Sequence, residues 1–298
     1  MMGASKMNIL NKLPLSVIPK TVFLSKEKQE NLDKQAFLND HQFSFPLIMK
    51  PDIGERGLLV EKINTLEEWE QYLDANHLDY IVQEYIQLPN EIGIFFYKLP
   101  GKTDITISSV CLKDFLSITG NGKSTVRQLL RENFHGRLQL DRLEKTNTDL
   151  LEKILNSGEI SMLEPIGNHS RGTAFYSGNH LIDMEMKSLI QSIIGSHSDI
   201  NYGRFDIKYN SIEELKRGIN YKVIELNGAA SEPTHIYDRS IPIWKKYKIF
   251  SEHFAVMYDI CTIQMQKGID PISISAGFQT MKNYYNYKGE INPSWKTV

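Results

Sequence analysis

Apolar and polar positions along this chain repeat with two different periods. Period two marks strands, and three-to-four spacing marks helices. Phe45 to Met49 is a short apolar run that delivers Lys50, and Leu58 to Ile63 reads as its returning strand. Between them lies the turn-rich segment Pro51-Asp52-Ile53-Gly54-Glu55-Arg56-Gly57. Further strands are predicted over Tyr80–Ile86, Glu91–Tyr97, Ile105–Leu112, Tyr202–Tyr209 and Tyr221–Leu226. Helices are predicted from Ser25 to about Asn39, over Leu66–Asn76 behind the capping-box pair Thr65 and Glu68, and from Ser124 or Thr125 through Leu130. A short helical turn is expected over Ile212–Arg217. From Ile243 to Met265 the spacing of Trp244, Tyr247, Phe250, Phe254, Met257, Tyr258 and Cys261 fits one face of a long helix. Residues 270–298 are polar and tyrosine-rich and read as a peripheral tail, its tyrosines packing on the large lobe or making an oligomer contact. Strands and helices interleave without a regular βαβ rhythm, which predicts α+β lobes.

A chain of 298 residues is long enough for about two domains. Its 41% apolar and 23% charged residues suit a packed core. The net charge of −2 excludes the broad basic field of a nucleic-acid binder. No apolar run approaches the ~20 residues needed to span a bilayer. The first residues lack the apolar core of a secretory signal. The two cysteines, Cys111 and Cys261, form neither a disulfide framework nor a CxxC zinc pair. A reducing, cytoplasmic setting fits these features.

The most informative segments are Gly203-Arg204-Phe205-Asp206-Ile207-Lys208 and Val223-Ile224-Glu225-Leu226-Asn227. On a strand, Arg204 projects with Asp206, and Glu225 with Asn227. If the two strands pair, Asp206, Glu225 and Asn227 form an oxygen-donor set suited to Mg²⁺. A polar solvent face of a hairpin is the other reading, and these residues alone leave both open. Lys50, followed by a loop with Gly54 and Gly57, suits a polyphosphate through its point charge and the loop's backbone N–H groups; a merely solvated lysine is the alternative. Gly120-Asn121-Gly122-Lys123-Ser124-Thr125 imitates the end of a P-loop, but the first glycine of that pattern would fall at Ser117. It reads as a turn capping the following helix. His169, His180 and His197 show no metal-ligand spacing with one another and read as loop or surface residues. His235 is either a structural hydrogen-bonder or a substrate contact.

Taken in order, these segments resemble the ATP-grasp family, in particular its D-alanine–D-alanine ligase and cyanophycin-synthetase-like branches, from about Pro46 to Asp238. FPLIMKP with DIGERG is similar to the family's phosphate-binding lysine strand and mobile glycine-rich loop. VQEYI followed by Glu91 resembles the hinge between lobes. This resemblance implies that Lys50, Gly54 and Gly57 meet the nucleotide phosphates, that Glu84, Tyr85 and Ile86 meet the adenine, and that Glu91 meets the ribose hydroxyls. CLKDFLSITGNGKST is similar to the cyanophycin-type stretch and implies Lys113 as a second basic contact. IGNHSRG resembles an Asn-x-Ser-x-Gly element, implying that Asn168 and Ser170 lie near the acceptor, with His235 at the substrate end. GRFDIK and VIELN resemble the metal strands, implying Asp206, Glu225 and Asn227 as ligands and Arg204 as the group that steadies a developing oxyanion.

The implied fold is α+β: two lobes gripping ATP, with the usual N-terminal α/β lobe reduced or supplied by another subunit. The divisions expected are a short N-terminal segment (1–40), a small lobe (41–88), a large lobe with the metal site (89–269) and the tail (270–298). The implied activity is ATP-dependent ligation of a carboxylate to an amine through an acyl phosphate, with ATP and Mg²⁺ or Mn²⁺. Arg204 and Lys113 would be its catalytic groups, small molecules or peptides its substrates, and a homo-oligomer or a completing partner its assembly. A small-molecule kinase and a nucleotide-binding scaffold are the competing classes. Gly228-Ala229-Ala230-Ser231-Glu232-Pro233 replaces the family's Asn-x-x-Pro-Gly turn, a departure on the substrate side.

Overall fold

The computed structural model describes residues 3–55, 57–75, 77–195 and 199–291. Arg56 of the turn-rich loop, Asn76 at the expected helix end and His197 lie outside these. A short helix α1 (Lys6–Leu10) precedes β1 (Thr21–Leu24), α2 (Lys26–Gln29), α3 (Lys34–Asp40), β2 (Leu47–Pro51), β3 (Glu61–Ile63), α4 (Leu66–Ala75) and β4 (Tyr80–Glu84). The strands form an antiparallel sheet in the order β1-β4-β2-β3. One face buries Leu24, Leu47, Met49, Tyr80 and Val82 against Phe37 and Leu38 of α3 and Trp69 and Leu73 of α4. Residues 21–40 therefore belong to the small lobe and not to a separate N-terminal segment, because β1 supplies the sheet edge and α3 half of its cover. The single helix expected from Ser25 is two: Asp33 starts a new one by accepting the backbone N–H of Ala36 at 2.9 Å.

The large lobe holds β5 (Asn90–Tyr97), β6 (Thr106–Asp114), β7 (Ser117–Thr119), α5 (Val126–Glu132), α6 (Leu140–Thr146), α7 (Thr148–Leu151), β8 (Ile160–Met162), β9 (Ala174–Ser177), α8 (Met184–Ile194), β10 (Tyr202–Tyr209), α9 (Ile212–Lys216) and β11 (Tyr221–Asn227). Its main sheet runs β11-β10-β5-β6-β9, all antiparallel. Strand alternation divides its residues between two faces. Ile92, Ile94, Val110, Phe205 and Ile207 enter a core with Met186, Ile190 and Ile193 of α8 and Leu10 of α1. Glu91, Gly93, Lys113, Arg204, Asp206 and Lys208 occupy the alternate positions of these strands. A smaller core under α5, α6 and α7 packs the antiparallel pair β7-β8.

Two helices complete the described chain, α10 (Ile243–Gln266) and α11 (Ile274–Ile291). The long helix is present as expected, but its aromatic stripe is not the packing face. Trp244, Tyr247, Phe254 and Tyr258 are exposed, while His253 and Ile260 are buried. The His253 ring stands edge-on to Phe95 at 4.7 Å and its Nδ1 pairs with the Tyr202 hydroxyl at 3.0 Å, so the sheet accepts the narrower face. The expected peripheral tail is a helix over much of its length, and it does not lie idle. Tyr287 donates its hydroxyl to the Ile53 carbonyl at 3.0 Å, and Lys288 pairs with Glu55. No described helix is long and apolar enough to cross a membrane.

Candidate active site

Lys50 sits on β2, the small-lobe strand next to β4. Only 6% of it is exposed. Its Nζ donates to Gln83 Oε1 on β4 at 3.0 Å and crosses to the large lobe to donate to the Ile224 carbonyl at 3.2 Å. The second acceptor exists because β11 carries one residue too many. Asp206 faces Glu225 and Ile207 faces Val223, so Ile224 is bulged out between the two pairs. Burial pushes the Lys50 ammonium down to about 8; Glu225 pulls it back up, while Lys6 presses it further down.

The large-lobe side is a chain of buried charges. Arg204 forks onto Asp206, with Nε to Oδ1 at 3.0 Å and Nη2 to Oδ2 at 3.2 Å. Its Nη1 reaches the Glu232 carbonyl at 3.1 Å. Lys113 donates to Glu91 at 2.5 Å and lies 3.5 Å from Asp206, and Lys208 lies 3.6 Å from the other Glu91 oxygen. Asn227 Nδ2 donates to Asp206 at 3.1 Å. Glycine permits this crowding: a Cβ on Gly93 would stand 3.3 Å from Asp206 Oδ1 and 3.4 Å from Arg204 Cδ. A Cβ on Gly167 would stand 2.6 Å from Glu91 Oε1. Burial raises the Asp206 carboxyl, but Arg204 and Lys113 outweigh it and hold the carboxyl below its ordinary value. Burial likewise lowers Lys113, and the carboxylates of Asp206 and Glu91 more than restore it. Both therefore stay charged near neutral pH.

The structure brings Lys50, Lys113, Arg204, Asp206, Glu225 and Asn227 together from separate elements. Register alone accounts for two contacts, Arg204 beside Asn227 and Asp206 beside Glu225. It does not bring Glu91 to the rim beside Glu84. The Glu91 carboxylate is buried as the shared partner of Lys113 and Lys208, because Asn90–Tyr97 pairs along β6 and β10 and turns that side chain into the lysines. Glu84 is exposed and accepts the Lys20 backbone N–H at 3.3 Å. Tyr85 and Ile86 are half-buried beside it, with Lys62 4.4 Å above the Tyr85 ring. Asn168 caps a tight turn, its Oδ1 accepting from the Ser170 N–H and hydroxyl, both at 3.0 Å. Gly57, at φ +69°, packs on the Asn168 side chain, and Arg171 donates to the Gly57 carbonyl at 3.2 Å. His235 is buried and has an internal partner. It is 3% exposed and its Nδ1 lies 2.5 Å from the Ser109 hydroxyl; burial holds its pKa down at about 4. The P-loop imitation is a capping turn, with Asn121 Oδ1 accepting from the N–H groups of Lys123 and Ser124 and with Thr125 capping α5.

Asp206, Glu225 and Asn227 suit Mg²⁺ in kind, since one or two carboxylates normally suffice when phosphate oxygens complete the shell. Among the described residues no group of three His, Cys, Asp or Glu side chains is arranged to hold a metal by itself. Three contributors went unnoticed in the sequence. Lys6 of α1 donates to the carbonyls of Gly54 at 2.7 Å and Pro51 at 3.1 Å and so holds the glycine-rich loop. Gln83 anchors Lys50. Lys208 could have been found, since it follows Arg204 and Asp206 at period two; nothing local to Lys6 marks it.

Residues 4–97 match the family model of the RimK-like ATP-grasp domain. Over those residues the fold is that of an ATP-grasp domain. In ATP-grasp terms, the matched stretch runs from α1 through β5 and includes Lys6, Lys50 and the glycine-rich loop. The chain is similar to three solved ATP-grasp structures. One is a bifunctional glutathione synthetase from Pasteurella multocida, 16% identical over 80% of this chain and 34% of that one, with a TM-score of 0.38. Another is the VanG D-Ala:D-Ser ligase from Enterococcus faecalis, 13% identical over 80% and 57%, with a TM-score of 0.42. The third is a D-alanine–D-alanine ligase from Bacillus anthracis, 12% identical over 88% and 67%, with a TM-score of 0.44. The chain thus spans about a third of the first and little over half of the second. No curated protein matches the chain in sequence.

Proposed function

We propose that this protein is an ATP-dependent carboxylate–amine ligase that works through an acyl phosphate. The observation that carries the reading is the meeting of Lys50 from the small lobe with Lys113, Arg204, Asp206 and Glu225 from the large one. A triphosphate needs several cations from different directions, and here they come from different strands. Lys50 and Lys113 neutralise phosphate oxygens. Arg204, fixed by its fork onto Asp206 and by the Glu232 carbonyl, steadies the charge that develops when the amine attacks the activated carboxyl. Asp206, Glu225 and Asn227 hold Mg²⁺, which on binding with ATP supplies further neutralisation of the phosphate chain. The loop from Asp52 to Gly57 covers the nucleotide while Lys6 and Arg171 pin its carbonyls. A partner or second copy on the substrate side belongs to the same proposal.

The test is phosphate release from Mg-ATP, screened over amino acids, dipeptides and polyamines as paired carboxylate and amine candidates. An amide product with stoichiometric free phosphate, lost in Glu225→Ala, supports the ligase. A stable phosphoester product, or phosphate release unchanged in Glu225→Ala, refutes it.

A further inference from the structure

The long helix α10 buries His253 and Ile260 and leaves a second face uncovered by any described residue. On that face Trp244, Ser251, Tyr258 and Met265 recur every seven residues, and Tyr247, Phe254 and Cys261 fall between them with the same period. All of them are exposed, and the four aromatic residues and Met265 lie between 56% and 72%. Steps of three and four that alternate from one end of a helix to the other are the spacing of a seam against a second helix. The charges beside the seam are sorted along it. The first two turns carry Lys245, Lys246 and Lys248 and no acid, Glu252 and Asp259 follow, and the last turn holds no base. This order runs against the helix dipole, which favours acids at the N-terminus and bases at the C-terminus. Lys248 meets Glu252 at 3.8 Å within the helix, and Lys267, past its last turn, lies beside Gly101.

We infer that this face binds a second copy of the chain, the two α10 helices lying antiparallel across a two-fold axis between Ser251 and Phe254. That axis sets Ser251 against the partner's Phe254, Tyr247 against the partner's Tyr258, and Trp244 against the partner's Cys261, each pair at one level of the seam. On the flank of the seam it brings Lys245 beside the partner's Asp259, so the charges that oppose the dipole in one helix are complementary in two. A parallel pair would set lysine against lysine and acid against acid, which is unfavourable. An anionic membrane would suit the lysines and the aromatic rings but would repel Glu252 and Asp259 on the same flank. At about 200 Å² for a whole aromatic side chain, the four rings present about 500 Å² per copy, and about 1,000 Å² in the pair reaches the lower bound of a specific interface. Met265 and the equally exposed Ile243 add to it. No residue of the seam belongs to the charged cluster, so the inference is independent of the ligase reading.

The experiment is sedimentation velocity of the full chain at micromolar concentration, with oxidative cross-linking to read the orientation. The parent should sediment as a dimer, and Phe254→Glu, which sets two carboxylates together at the axis, as a monomer with an unchanged melting temperature. Lys245→Glu should weaken the dimer several-fold, and adding Asp259→Lys should restore it. On oxidation the parent should form no disulfide-linked dimer, because its two Cys261 thiols stand about 25 Å apart along the antiparallel pair. Trp244→Cys should form one, to the partner's Cys261. A monomeric parent overturns the proposal, including one that sediments instead with phosphatidylserine vesicles. So do a dimer that survives Phe254→Glu, a charge swap that fails to restore association, a parent linked through its own Cys261 pair, and a Trp244→Cys chain that does not link. If Phe254→Glu does not fold, the charge swap and the cross-links decide the matter.

Discussion

Lys50 offers a direct test of the proposed phosphate site, because burial leaves its ammonium at about 8, well under its ordinary value. A triphosphate beside it favours the charged form, so the bound pKa is higher than the free one. Between those two values, binding must draw a proton from solution. If the bound value lies well above 9, uptake on ATP binding is about 0.1 proton at pH 7, about 0.5 at pH 8 and about 0.9 at pH 9. Lys113 adds nothing, since Asp206 and Glu91 already keep it protonated in the free protein. Lys6, lowered by its burial, adds in the same direction. The assay is calorimetry of ATP binding in buffers of different ionisation enthalpy at each pH, where the slope of heat against that enthalpy counts protons. In Lys50→Met the uptake should fall to the share that Lys6 supplies. Proton uptake that does not rise from pH 7 to 9, proton release, or undiminished uptake in Lys50→Met refutes the placement of Lys50 on the phosphates.

Asp206→Ala strands Arg204 and Lys113 without their shared carboxylate, and should lower stability in urea by about 3–5 kcal/mol; a loss below about 1 kcal/mol contradicts the buried-network description. His235, depressed to about 4, binds fewer protons when folded than when unfolded. Its share of stability is therefore present above about pH 6.5 and lost as pH falls toward 4, and thermal melts of His235→Gln should show a shallower acid decline than the parent. The double variant Tyr287→Phe and Lys288→Met removes two contacts between α11 and the glycine-rich loop. Protease cleavage near Glu55 should then speed up several-fold, with the global melting temperature little changed, as expected for local opening.

Much of this protein could be read without coordinates. Strand alternation placed Arg204 with Asp206 and Glu225 with Asn227, and the pairing of β10 with β11 made them neighbours. These are properties of a short stretch of backbone, so a few residues of sequence carry them. The capping turn at Asn121 to Thr125 was equally local, settled by which side chain can reach which N–H. The bulge at Ile224 was not legible, because an extra residue in a strand shows itself only when the partner strand is laid beside it. It is that bulge which frees a carbonyl for Lys50.

Other features were decided by contacts between distant parts of the chain. The aromatic stripe of α10 has the spacing of a core face, yet the sheet takes the side carrying His253 and Ile260. Periodicity identifies a helix but not what lies against it. Glu91 and His235 have side chains suited to ligands, and tertiary packing gives each an internal partner that no local pattern shows. Lys6 and Tyr287 reach the glycine-rich loop from opposite ends of the chain. The sequence thus determined strands, caps and the sharing of a face by Arg204 with Asp206 and by Glu225 with Asn227 through short-range stereochemistry. The closure of the lobes and the burial of each charge depended on long-range packing, which no local pattern encodes.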